Sequence, residues 1–318
     1  MTDWRPGADL AALRARAELL ATVRDFFARR GVLEVDTPIL GATGGTDPGI
    51  ECFRSHAGRV LQSSPEFFMK RLLAAGSGPI YQIARAFRAE EAGRLHNPEF
   101  LLLEWYRPGF DDFALMDEID DLCAGLMPGF PAQRLPFREF IAGVFGVDPL
   151  TAADETLAAA LDRHFVAARR EADIAELTGG ARGVLLDLAY SEAVAATRDA
   201  VFVYDFPPEQ AALARMRRDS HGAEVAARFE LMLAGIELAN GYHELADAAE
   251  QRRRFEADLA SRRQAGRFCP EIDEHLLAAL EAGLPDCAGV AIGIDRLLML
   301  ILGAQDIDAV LPFSECRL

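Results

Sequence analysis

From Asp9 to Arg30 apolar residues recur at helical spacing: Leu10, Leu13, Ala17, Leu20, Val23, Phe26 and Phe27 share one stripe. Asp9 reads as the N-cap and Gly31 as the stop, so the spacing predicts one opening amphipathic helix. Val32 to Asp36 then alternates like a strand, Pro38 ends it, and the Gly-rich stretch Gly41 to Gly49 reads as a loop. Ile80 to Arg88 and Phe100 to Tyr106 are strand-like runs joined by the polar stretch Ala89 to Glu99, the pattern of a long antiparallel hairpin. Residues 110–198 are mostly helical by pattern, with Gly/Pro breaks at Pro128 to Pro131 and at Asp148-Pro149. Val201 to Phe206, Arg228 to Leu238 and Gly289 to Ile294 read as further strands, the last running into a helix at Asp295. The predicted class is α+β, a mainly antiparallel sheet flanked by helices, in one domain over 1–318 with helical insertions across 110–198.

Composition narrows the function classes. With 51% hydrophobic residues and no apolar run near the ~18 needed to cross a bilayer, a cytoplasmic globular protein is expected. The opening Met-Thr-Asp-Trp-Arg-Pro lacks the pattern of a signal peptide. Five scattered cysteines and six histidines show no zinc-ligand spacing, so any metal is expected to arrive with a nucleotide. The net charge of −17 disfavours a polyanion as partner. Arg-rich stretches at Arg14 to Arg30 and Arg252 to Arg263 read as solvated helix faces, and the near absence of lysine, Lys70 being the only one, reads as compositional bias.

Three segments concentrate chemistry. Phe87 to Phe100 carries Arg88, Arg94 and His96 among carboxylates, with guanidinium forks suited to phosphate and Phe100 available to stack on a base. On charge pattern alone a solvated loop is the commoner outcome for such a segment. Glu237 and Glu244 flank the Asn240-Gly241 turn signal. Seven residues of regular strand would put them on opposite faces, so a bend or bulge at Asn240-Gly241 is expected to bring them together. Gly289 to Leu297 is a small-residue strand entering a helix, where Gly293 permits close backbone approach and Arg296 can clamp a phosphate.

Taken in order, these segments resemble the three signature motifs of class II aminoacyl-tRNA synthetases: Val32 to Leu40, Phe87-Arg88-Ala89-Glu90 through Phe100, and Gly289 to Arg296. Ser64-Pro65-Glu66, His96-Asn97-Pro98-Glu99-Phe100 and Glu237-Leu238-Ala239-Asn240-Gly241 are similar to the lysyl branch. Leu103 to Pro108, Tyr242-His243-Glu244-Leu245 and the Gly-Val-Ala form of the third motif resemble the elongation factor P–(R)-β-lysine ligase family, freestanding paralogues without the anticodon-binding domain. The resemblance implies the class II catalytic core and an ATP-dependent ligase that adenylates lysine or (R)-β-lysine and passes it to a lysine of elongation factor P.

It also implies residue roles. Arg88, Glu237 and Arg296 are the expected catalytic residues, with Ala89, Glu90, His96, Asn97, Phe100, Leu238 and Gly293 joining them around ATP and Glu237 holding Mg²⁺. Ser64, Pro65, Glu66, Tyr106, Glu244 and Ala291 are expected around the amino acid, Ala291 standing where tRNA-charging relatives carry glycine. Leu95, in place of an arginine of lysyl-tRNA synthetases, argues against tRNA as acceptor, and a homodimer through the opening helix and first motif is expected. A truncated synthetase charging tRNA or another amine, and a non-catalytic amino-acid-binding paralogue, are the competing readings.

Overall fold

The opening helix α1 spans Leu10–Arg29, capped by the Asp9 carboxylate accepting from the Ala12 amide at 2.8 Å and followed by Gly31 at φ 65°. In this computed structural model, residues 4–128, 130–168, 170, 174–179 and 181–318 are described, with backbone alone at 175 and 176. Gly129, inside the expected break at Pro128 to Pro131, lies outside the described residues. After α1 come β1 (Leu33–Glu34), β2 (Leu40–Gly41), β3 (Val60–Leu61), α2 (Glu66–Ala74), β4 (Ile80–Phe87), β5 (Glu99–Pro108) and α3 (Asp112–Ala124). Next are β6 (Gln133–Pro136), α4 (Phe137–Phe145), α5 (Asp154–Ala167), α6 (Ile174–Thr178), α7 (Arg182–Ala196), β7 (Val201–Phe206), β8 (Met216–Arg218), β9 (Glu224–Leu233) and β10 (Ile236–His243). The chain closes with α8 (Ala248–Gln264), α9 (Glu274–Gly283), β11 (Cys287–Gly293) and α10 (Ile294–Leu302). It divides into two units, Met1–Pro128 with His243–Leu318, and Gly129–Tyr242.

In the first unit β4 and β5 form the expected hairpin, in register from Ile80 opposite Tyr106 to Phe87 opposite Glu99. β11 pairs antiparallel with the other edge of β5, and β1 runs parallel to β4. The buried side chains of α1, among them Val23 and Phe27, cover this sheet: the Phe27 ring stacks on Tyr81 at 4.4 Å and meets Trp105 edge-on at 5.3 Å. The loop after β2 is pinned from behind by α8. Arg262, fully buried, donates to the Asp47 and Ile50 carbonyls at 2.6 and 2.7 Å and to Glu51 at 2.7 Å. Arg24 with Glu34 and Arg252 with Glu274 are exposed pairs, as expected of solvated faces, but the reading fails for Arg16, which pairs with buried Asp295, and for Arg262, which is fully buried.

In the second unit β9 is flanked by β10 and β7 in antiparallel pairs, β6 runs parallel to β7, and β8 pairs with β9. Helices α4, α5 and α7 pack a core of Phe137, Ile141, Leu157, Leu161, Leu186 and Phe206. One strand expectation needs correction. Arg228 to Leu238 is two strands, because Ala234 and Gly235, at φ 54° and 75°, make a two-residue hairpin turn between β9 and β10. Asn240-Gly241, the stronger turn signal by composition, instead lies inside β10. There Asn240 Oδ1 accepts from Arg228 Nε at 3.3 Å, and its amide reaches Glu230 at 3.4 Å. Among the described residues no helix is long and apolar enough to cross a membrane, and all five cysteines are free thiols.

Candidate active site

The turn Ser64-Pro65 opens α2, and Ser64 organises it: its hydroxyl accepts from the Glu66 amide at 3.0 Å and donates to Glu104 Oε2 at 2.7 Å. One helical turn later Lys70 stands on the same face as Glu66, and its Nζ lies 2.6 Å from that carboxylate. The same Nζ is 2.6 Å from Glu244, whose backbone amide is tied to the Cys287 carbonyl at 3.0 Å. Lys70, Glu104, Tyr106 and Glu244 are each exposed by 2% or less, so two carboxyl groups, one ammonium and a phenol share one buried pocket with the half-buried Ser64 and Glu66.

The strands supply the floor. Across β5 and β11, Tyr106 stands opposite Gly289 and Glu104 opposite Ala291. A Cβ at Gly289 would lie 2.2 Å from the Tyr106 ring and 2.5 Å from Glu244 Oε1, so the glycine is what lets both close on the strand. Tyr106 donates its hydroxyl to Glu104 at 2.8 Å. Burial, then the charges of Glu104, Glu66 and Glu244, raise this phenol well above its usual value and keep it a donor.

Burial and then the Glu66 charge push the Glu104 carboxyl up to about 8, against the pull of its Ser64 and Tyr106 hydrogen bonds. Burial alone would lower Lys70, but Glu244 and then Glu66 hold its ammonium well above the ordinary lysine value. The Glu104 shift has a consequence for stability. Its folded-state value lies above that of an unfolded glutamate, so between the two the folded chain keeps a proton the unfolded chain has lost. That contribution is full at low pH and fades as pH rises through about 8. Melting temperatures from about pH 5 to about pH 8 should therefore fall less steeply in Glu104→Gln than in wild type. Glu230 and Asp258, also raised by burial, slope both proteins alike. Equal slopes would contradict the assignment.

A second cluster lies further along the same strands. Leu102 opposite Gly293 is two residues from the Glu104–Ala291 pair, roughly 7 Å along the sheet. The Arg88 guanidinium sits over the Phe100 ring at 5.1 Å and pairs with Glu91 at 3.1 Å. Glu91 in turn approaches His96 at 3.9 Å, and Arg296 meets His96 at 2.5 Å while donating to the Leu95 carbonyl at 3.3 Å. Arg296 is thus brought together with Arg88, His96 and Phe100 from across 200 positions of chain. Buried Asp295 fixes the first turn of α10 by accepting from the Leu101 amide at 2.8 Å and pairing with Arg16. At Gly293 the nearest atom to an added Cβ would be Arg296 Cδ at 3.7 Å, an ordinary contact, so protein packing does not demand a glycine there.

Other expected site residues lie differently. Ala89 is anchored by its backbone amide on the Glu51 carbonyl at 2.8 Å, and Glu90 faces Arg267 at 3.2 Å. Asn97 is engaged within the protein, donating to the Glu99 carbonyl at 2.7 Å and accepting from the Glu315 amide at 2.8 Å. In the second unit the strand irregularity falls between Glu237 and Ala239, with Leu238 as the extra residue, and not at Asn240-Gly241. The bulge puts exposed Glu237 on the face of β10 that carries Asn240 and Tyr242. Glu230, opposite Asn240, pairs with Arg228 and accepts from Tyr190 at 2.8 Å. Among the described residues no group of three or more His, Cys, Asp or Glu is placed to hold a metal.

A basic cluster beside a buried acidic pocket, both along the paired strands β5 and β11, suits activation of a cationic carboxylic acid. The family model described as tRNA synthetases class II (D, K and N) matches residues 2–317. The chain belongs to that family. Among class II relatives, the elongation factor P–(R)-beta-lysine ligase of Edwardsiella ictaluri is 47% identical, covering 100% of this chain and 99% of its own. Proteins of the same name from Vibrio parahaemolyticus and Vibrio cholerae are 48% and 47% identical, over 98% and 99% of both chains. The α+β core with its mainly antiparallel pairing is the class II synthetase domain expected from the motifs.

Sequence reasoning passed over two residues of the acidic pocket. Glu104 interrupts the apolar run Leu101 to Tyr106, and a carboxylate inside a buried strand is itself a signal. Lys70 was legible only as the partner of Glu66 four residues earlier. Its second partner, Glu244, is far away in sequence.

Proposed function

We propose that this chain is an ATP-dependent ligase that activates lysine or (R)-β-lysine as an adenylate and transfers it to a lysine side chain of translation elongation factor P. The observation that carries this reading is the joined pair of clusters on β5 and β11: Glu66, Glu104 and Glu244 on one side, Arg88, His96 and Arg296 on the other. The full-length similarity to ligases of that name supplies the acceptor. The net charge of −17 also suits a protein acceptor better than a nucleic acid.

In the first step a carboxylate oxygen of the amino acid attacks the α-phosphorus of ATP, the bond to the bridging oxygen breaks, and pyrophosphate leaves. In the second, the acceptor's amine attacks the acyl carbon, AMP departs with the bonding pair, and the amine proton is released. Neither step needs a protein nucleophile; both need alignment and neutralised charge. Arg88 takes the α-phosphate, Phe100 and the Gly293 backbone the adenosine side, and Arg296 with His96 the terminal phosphates. The buried Arg88 Nε, without a hydrogen-bond partner among the described residues, and the open Gly293 backbone support this assignment. Ala89, Glu90, Asn97 and Leu238 keep the nucleotide roles that the family resemblance implies. Mg²⁺ would neutralise phosphate charge, and the family resemblance gives exposed Glu237 as the carboxylate that would hold it.

On the amino-acid side, Glu66 with Ser64 and Pro65 receives the ammonium nearest the carboxylate, and Glu244 with Tyr106 receives the other. The Ala291 methyl, opposite Glu104, trims the pocket floor in favour of (R)-β-lysine. Exchange of labelled pyrophosphate into ATP tests the activation step. It should depend on lysine or β-lysine and be absent with norleucine; exchange indifferent to the side-chain amine would contradict the reading.

An acceptor that belongs to the translation machinery supports a cytoplasmic location. Exposed Leu10, Leu33, Ile39 and Leu40 support a two-fold homodimer. Light scattering at micromolar concentration should return twice the 34.7 kDa chain mass, and a monomer's mass would contradict the dimer.

A further inference from the structure

Lys70 has no part in the mechanism above, yet it is the chain's only lysine and sits at the centre of the acidic pocket, 2% exposed. Its Nζ touches Glu66 and Glu244 at 2.6 Å each, and those two carboxylates come from elements far apart in sequence, α2 and the segment after β10. We propose that Lys70 is a positioning residue that clamps Glu66 to Glu244 and sets the pocket's charge so that it takes an amino acid with two ammonium groups. The ledger is simple. Glu66, Glu104 and Glu244 bring three carboxyl groups and Lys70 one ammonium; once Glu104 gives up the proton that burial holds on it, there are places for two more positive charges. A diamino acid whose carboxylate faces the nucleotide brings two.

Without the clamp, two carboxylates would face each other across a dry site, where like charges drive them apart or force protonation. A monoamino acid would leave one buried carboxylate unpaired, the costly case for a desolvated charge. A lysine fits the clamp better than an arginine because its compact ammonium reaches two carboxylates from one point, whereas a guanidinium prefers planar, two-pronged pairing. The inference rests on the assignment of Glu66 and Glu244 to the amino acid.

Two measurements test it. In Lys70→Met, the KM for lysine or β-lysine in pyrophosphate exchange should rise at least about 30-fold while the KM for ATP stays within about threefold, and Lys70→Arg should recover part of the loss. A merely structural ion pair would lower the melting temperature and leave the ratio of the two KM values alone, which would overturn the proposal. A lower amino-acid KM in Lys70→Met would overturn it too, by making Lys70 a competitor for the site.

The second measurement needs no variant to fold and no turnover. Because the chain has one lysine, wild-type protein labelled with ¹⁵N at lysine Nζ carries a single side-chain signal. That signal should be an ammonium shifted by added lysine or β-lysine and unmoved by norleucine. If the signal ignores all three while lysine-dependent exchange proceeds, the clamp is wrong and the ligase reading stands. If it responds to the diamino acid while no exchange is found, the clamp stands and the ligase reading fails.

Discussion

Replacing Glu244 with glutamine should abolish lysine-dependent pyrophosphate exchange, lowering kcat/KM for the amino acid by about 10³-fold with little change in the KM for ATP. The substitution keeps the shape of the side chain and removes only its charge. Glu244 is 1% exposed, held 2.6 Å from Lys70 and packed against Gly289. An amide there leaves Lys70 with Glu66 alone and gives the substrate's distal ammonium no counter-charge in a buried site. Losing a buried charge partner costs roughly 3–5 kcal/mol, which is the origin of the expected factor. The variant's melting temperature separates loss of function from loss of fold, and near-normal exchange in a folded variant would refute the role given to Glu244.

Arg88→Ala is expected to act on the other substrate. The Arg88 guanidinium lies on the Phe100 ring and is tied to Glu91, so it is already oriented before any nucleotide arrives. A preorganised cation aimed at a phosphate whose charge shifts during reaction contributes chiefly to the transition state, and its removal should cut kcat for exchange by about 10²- to 10³-fold. Arg88→Lys should rescue only a small part, because an ammonium lacks the planar fork. A variant with altered ATP affinity but unchanged kcat would place Arg88 in ground-state binding only.

How much of this was readable in the chain differs from element to element. Helix α1 was legible to within a residue at each end because its signals are local: the Asp9 cap, the apolar stripe and Gly31. The β4–β5 hairpin was legible because its two runs are long and its connecting stretch is polar. The β9–β10 hairpin was not, because Ala234-Gly235 is a weak turn signal beside Asn240-Gly241. Tertiary contacts decided the matter, with Arg228 and Glu230 holding Asn240 in the strand. Likewise, the need for an irregularity between Glu237 and Glu244 followed from strand geometry, but its place, at Leu238 instead of Asn240-Gly241, did not.

The site divides the same way. Arg88, His96, Phe100 and Arg296 could be picked out as residue types suited to phosphate and base, and they converge through the pairing of β4, β5 and β11. The acidic pocket was half legible. Glu66 and Glu244 stood out in motifs, whereas Glu104 was hidden in an apolar run and Lys70 in an arginine-rich composition. What defines Lys70 is a contact with a residue 174 positions later in the chain. No local pattern carries that information.

The direct test of the ligase assignment weighs the acceptor. Protein, ATP, Mg²⁺ and lysine or (R)-β-lysine are incubated with elongation factor P or with tRNA, and each acceptor is examined by mass spectrometry. Elongation factor P should gain the mass of one lysyl group on a lysine side chain, faster with the β isomer, while tRNA stays unchanged. Charged tRNA beside unmodified elongation factor P would contradict the assignment.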